Sequence, residues 1–163
     1  ENFGALIKSS YFSNGDGFKN SATIFARDTD GVFSGMASIV ASDFDNVEDG
    51  EGTEIIGTAA EQTLGYAKIV VNLSDHQFLS LSHETLNEEG DILYRPEWIA
   101  SPRNVAEPTE GERKTTTLNY SLNDSNNELI DFSVNIYNTK NYQSREFRAI
   151  FYDGAVKSKG ATI

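Results

Sequence analysis

The sequence predicts an all-β chain, a two-sheet antiparallel β-sandwich of jelly-roll or immunoglobulin-like kind with little or no helix. Three observations predict it. Apolar residues recur with a period of two, turn residues separate the runs, and helical periodicity is almost absent. The pattern is clearest in the last third, where Leu118, Tyr120 and Leu122 alternate with polar residues. A polar loop from Asn123 to Asn127 follows, and then a run from Leu129 to Tyr137. A further polar loop leads to Phe147–Tyr152.

Taken in order, Ala5–Phe12 and Phe18–Arg27 read as a hairpin. The turn between them contains Asn14-Gly15 and Asp16-Gly17, pairs that tolerate positive φ. Asp28-Thr29-Asp30-Gly31 is the next turn, and Val32–Ser42 the next strand, its small residues suited to a crowded inner position. Asp43–Thr53 is acidic loop. Glu54–Thr58 is expected as a short strand and Ala59–Leu64 as a single helical turn. Tyr66–Leu73 is a strand, and Gln77–Leu81 continues the sheet. From Ser82 to Glu112 the chain is polar and holds all three prolines, so it reads as a long connection with a short edge strand at Ile92–Tyr94. Thr85-Leu86-Asn87-Glu88 has capping-box form, but Gly90 would end any helix at once. Thr115 opens the final meander, and Ala155–Ile163 adds a terminal strand. Eight to ten such strands suit a sandwich or a closed barrel, and the sandwich is the expectation carried forward.

At 163 residues the chain is expected to form a single domain, residues 1–163, without cysteine staples. It begins without methionine, so it reads as a module or mature fragment of a longer secreted or cell-surface protein. No apolar run approaches the ~20 residues of a membrane-spanning helix, and the expectation drawn from this is no membrane insertion. The net charge of −12 excludes nucleic acid as a partner. Between Asp28 and Ala67 there are nine acids and no Lys or Arg, whereas Arg113 onward carries seven bases against five acids.

Candidate chemistry is sparse. Asp28-x-Asp30 and Asp43-x-Asp45 place oxygen ligands at alternate positions, and with Glu48, Asp49 and Glu51 they form the acids that would suit calcium as a cofactor, although neither run fits the EF-hand loop. His76 and His83 lack metal-ligand spacing. Gly31-Val32-Phe33-Ser34-Gly35 is not a nucleophile elbow, and phosphate-binding glycine motifs are missing. Tyr94, Arg95 and Trp98, and separately Tyr137 and Tyr142, could stack on a sugar ring.

The function expected from these readings is a non-catalytic β-sandwich module for adhesion, binding a glycan or protein ligand. Two alternatives stand beside it: a structural subunit that assembles with copies of itself, and a hydrolase with dispersed acids.

Overall fold

A computed structural model describes residues 2–123, 131–149 and 152–162. Residues 124–127 of the predicted loop, the start of the run at Leu129 and Ile130, Ile150 and Phe151, and Ile163 lie outside the described residues. The chain forms β1 (Phe3–Phe12), β2 (Gly17–Arg27), β3 (Phe33–Phe44), β4 (Ala60–Ser74), β5 (Gln77–Leu93), β6 (Ala106–Asn123), β7 (Asp131–Ala149) and β8 (Tyr152–Thr162). Every strand pairs antiparallel with the next, giving one eight-stranded sheet in simple chain order. β1 and β8 are its two free edges, so the sheet is open.

This corrects the expected two-sheet sandwich. A sandwich needs a second sheet to cover the apolar side of the first, and here a single sheet takes every strand. The consequence is visible in burial: Leu93 alone among the described apolar residues is buried. Phe3, Ile7, Phe18, Ile24, Phe33, Ile39, Ile69 and Ile136 are all more than half exposed. Period-two alternation reports that one face is apolar. It does not report what that face meets.

The strands also run longer than their sequence signals. β4 begins at Ala60, absorbing the segment read as a helical turn, and Glu54–Thr58 is loop apart from one isolated bridge between Glu48 and Glu54. β5 extends to Leu93 and β6 starts at Ala106, so most of the polar region read as a connection is an ordered ladder from Gln77↔Leu122 to Leu93↔Ala106. Pro108 is accommodated because β6 pairs with β7 only from Thr109 onward.

The connections fall into two sets. At one end are the turns at 28–32 and 75–76. At the other are the 13–16 turn and two long loops, 45–59 and 94–105.

Candidate functional site

Cross-strand partners share a face, so the registers sort the side chains into two sets. One face carries Phe3, Ala5 and Ile7 on β1, and Ala22, Ile24 and Ala26 on β2. It continues through Phe33, Gly35, Ala37, Ile39 and Ala41 on β3 to Gly65, Ala67, Ile69 and Val71 on β4. Leu79 and Leu81, then Leu118, Tyr120 and Leu122, then Phe132, Val134 and Ile136 extend it across β5–β7. No Asp, Glu, Lys or Arg interrupts this band. On β3 it spans eight residue steps, about 27 Å along the strand.

The band drifts along the registers from strand to strand. On β3 the row through Ala37 lies at its middle. The same row on β5–β7 contains His83, Thr116 and Asn138, already beyond its edge. Polar side chains begin to bond one another there: His83 Nδ1 and Thr116 Oγ1 are 2.8 Å apart.

The opposite face is a polar ladder. Thr23 and Ser38 hydroxyls meet at 2.8 Å, Gln62 donates to Glu88 at 2.6 Å, and Arg113 donates to Glu84 at 3.0 Å. Asn135 donates to Asn119, which reaches the nearly buried Ser80. Lys8, Lys19, Arg27 and Lys68 also stand on this face. Side chains of five adjacent strands, including Ser42, Gln62, Glu88, Arg113 and Asn141, line one hollow of about 630 Å³, so the sheet is concave on its polar side.

The first long loop reaches the edge of that hollow at Gly57–Ala59, both long loops line a second one of about 420 Å³, and each loop is built around an asparagine. Asn46 Oδ1 accepts the N–H groups of Gly57, Thr58 and Ala59 at 2.8–3.0 Å, and its amide donates to Glu54. Asn14 exchanges two hydrogen bonds with the backbone of Glu48, tying the 13–16 turn to the acidic loop. Asn104, the one fully buried large side chain among the described residues, accepts from the Arg95 N–H at 2.8 Å. It donates to the carbonyls of Arg95, Trp98 and Ile99. Gly57, at φ +88°, sits against Leu93, where an added Cβ would lie 3.1 Å from that side chain.

Of the sequence-predicted ligand residues, Tyr94, Arg95 and Trp98 do come together: the Arg95 guanidinium lies 4.9 Å from the Trp98 ring centre and 5.7 Å from that of Tyr94. Trp98 and Ile99 point their apolar surfaces to solvent. Tyr137 and Tyr142 do not join, because five residues along one strand puts them on opposite faces. The acids are also divided: Asp28 and Asp30 lie at the short-turn end of β3, and Asp43, Asp45, Glu48, Asp49 and Glu51 at the other. Among the described residues no three acidic or histidine side chains group closely enough to hold a metal ion. Asp28 and Asp49 instead cap backbone N–H groups, Phe33 for the first, Thr53 and Glu51 for the second. The Thr53 N–H, followed by that of Glu51, holds the Asp49 carboxyl below its ordinary range. Asn46 and Asn104 were not singled out in the sequence, since a polar loop shows no periodic signal for its organising side chain.

No family model matches the chain. Over 151 residues, or 88% of its length, it is 29% identical to proteins named heme transporter BhuA in Brucella ovis and Brucella abortus. The chain spans 22% of the length of these curated relatives. The FrpB iron transporter from Neisseria meningitidis shares the fold, with a TM-score of 0.74 and 19% identity over 99% of this chain and 27% of that one. These proteins are transporters, not enzymes, in line with the missing catalytic motifs. The likeness overturns the expected adhesion module with its glycan, protein or self-assembly partners, and the hydrolase alternative with it. It also overturns the expectation of no membrane insertion. That expectation rested on the lack of a long apolar run, and no described helix is long enough to span. Strands need only ~9–11 residues, alternating.

Proposed function

We propose that this chain is part of the wall of a membrane-spanning β-barrel that transports iron or haem. The observation that carries the reading is the charge-free apolar band on one face, opposed by a face that sets Lys8, Lys19, Arg27, Lys68 and many hydroxyls and amides among a few apolar side chains such as Phe25, Met36 and Val70. In water that band would be an aggregation surface. Against acyl chains it is the outward face of a barrel, whose apolar belt stands ~25 Å tall. The polar concave face then lines the lumen. The short turns and the long loops mark the two sides of the membrane, as in outer-membrane barrels. The likeness to heme and iron transporters supports the cargo.

In this reading the chain belongs to the cell surface in the broad sense, embedded rather than secreted. Tyr94, Arg95 and Trp98, held rigid by Asn104, form the part of the long-loop side that meets incoming cargo. Haem or a chelated iron complex is the substrate that arrives there, and calcium has no assigned role.

The test is uptake of labelled haem and of labelled iron by cells producing the polypeptide that carries these strands. Uptake above that of cells lacking it is expected, and Arg95→Ala with Trp98→Ala should lower it several-fold at an unchanged amount of protein in the membrane. Uptake no greater than background for both cargoes would sink the reading.

A further inference from the structure

Four lysines gather on the outward face of β6–β8, immediately past the apolar band. Reading outward from the last apolar row, Leu118–Ile136, the next row is Thr116–Asn138. Then come Lys114–Lys140–Ala161, Glu112–Tyr142–Lys159 and Glu110–Ser144–Lys157. Lys114 and Lys140 stand directly opposite each other, an arrangement that costs stability in an isolated sheet. Glu112 offsets Lys114 at 2.6 Å, and Glu110 and Glu146 lie in rows farther from the band. Among the described residues no ion pair offsets Lys140, Lys157 or Lys159. Lys140, Lys159, Tyr142, Glu112 and Ala161 line a shallow groove of about 680 Å³ on this face. The Lys159 ammonium lies 5.7 Å from the centre of the Tyr142 ring.

This clustering stands out in a chain of net charge −12. It also stands at a particular height. Four residue steps separate Leu118 from Lys114, about 14 Å along the strand and roughly 10 Å along the membrane normal at a ~40° tilt. Lysine stems reach back several ångströms toward the layer below. The ammonium groups therefore lie at headgroup level, and a tyrosine is the aromatic favoured there.

We propose that this groove binds the anionic, phosphate-bearing headgroups of membrane lipid. The proposal rests on the barrel-wall reading, because only there does the face meet lipid. Two ammonium groups flanking Tyr142 complement a phosphate, and Ala161 and the band below continue the surface for the acyl chains. The mutual repulsion of Lys114 and Lys140 is relieved when such a headgroup is present.

The test uses the natural-length polypeptide carrying these strands, folded into phosphatidylcholine vesicles with and without phosphatidylglycerol. Anionic lipid is expected to raise the thermal unfolding midpoint of the wild type. The K140Q/K159Q double variant should lose most of that rise, while K19Q, on the lumen face, keeps it. Inorganic phosphate added to neutral vesicles should leave the midpoint unchanged. A full rise in the double variant, or a rise reproduced by phosphate alone, overturns the proposal. Folding into neutral vesicles without any response to anionic lipid overturns this proposal and leaves the barrel wall standing. Failure to fold into neutral vesicles overturns both.

Discussion

Asn104 shows how much of the long-loop side depends on one side chain. Its amide uses both ends, accepting the Arg95 N–H and donating to three carbonyls within residues 95–99. Backbone groups turned inward like these cost about 1–3 kcal/mol when a partner is removed. Asn104→Ala should therefore open the 94–105 loop, and tryptic cleavage after Arg103 should accelerate by about 5- to 150-fold, at ~1.4 kcal/mol per tenfold. Unchanged cleavage rates would mean that the loop is held by something else. None of this was legible beforehand. The sequence drew attention to acids and aromatics, and it did bring out Tyr94, Arg95 and Trp98, because an arginine between two aromatics is a local pattern. The asparagine that holds them lies nine residues from Arg95 and resembles any loop asparagine.

Among the elements, legibility follows the apolar band, which the barrel-wall reading places in the lipid layer. Where a strand is expected to cross that layer, one side must be apolar, and the alternation of Ala22, Ile24 and Ala26 or of Leu118, Tyr120 and Leu122 exposes it in the sequence. Where β5 and β6 rise past the band, both faces are wet, and Ser82–Leu93 and Ala106–Thr117 lose the alternation while keeping the ladder. That is why Ser82–Glu112, which holds most of β5 and the start of β6, was read as a connection. The same logic yields a paired prediction on β4. Ile69 faces outward and Val70 faces the lumen side, next to the natural Lys68. Ile69→Arg should cost about 2–4 kcal/mol in vesicle-folded protein if it lies near the midplane. Val70→Arg should cost under about 1 kcal/mol, as polar substitutions on a wet face do. Urea unfolding compares the two, and equal penalties would remove the distinction between the faces.

At the scale of the whole molecule, the sheet lacks what a soluble domain of 163 residues must have. A water-soluble chain of this size buries an apolar core, whereas among the described residues here Leu93 is the one buried apolar side chain. Sequence periodicity could not distinguish these cases, because a sandwich strand and a barrel-wall strand alternate identically. The difference lies in the medium beyond the apolar side. That medium can be read directly, since the chain contains no cysteine and single cysteines introduce no background thiols. Along β3, cysteines replacing Phe33, Ala37, Ile39 and Ala41 project outward, and those replacing Ser34, Met36, Ser38 and Val40 project into the concave side. In the vesicle-folded polypeptide a water-soluble maleimide should label the second set and spare the first, with a period of two sustained across the strand. Detergent-free unfolding should label both sets alike. A sandwich interior would protect the outward positions too, but a membrane-soluble maleimide separates the cases. It should reach the outward set from the lipid, whereas a packed protein core would keep it out. Protection of the outward set from both reagents would return this face to a protein partner and end the barrel-wall reading.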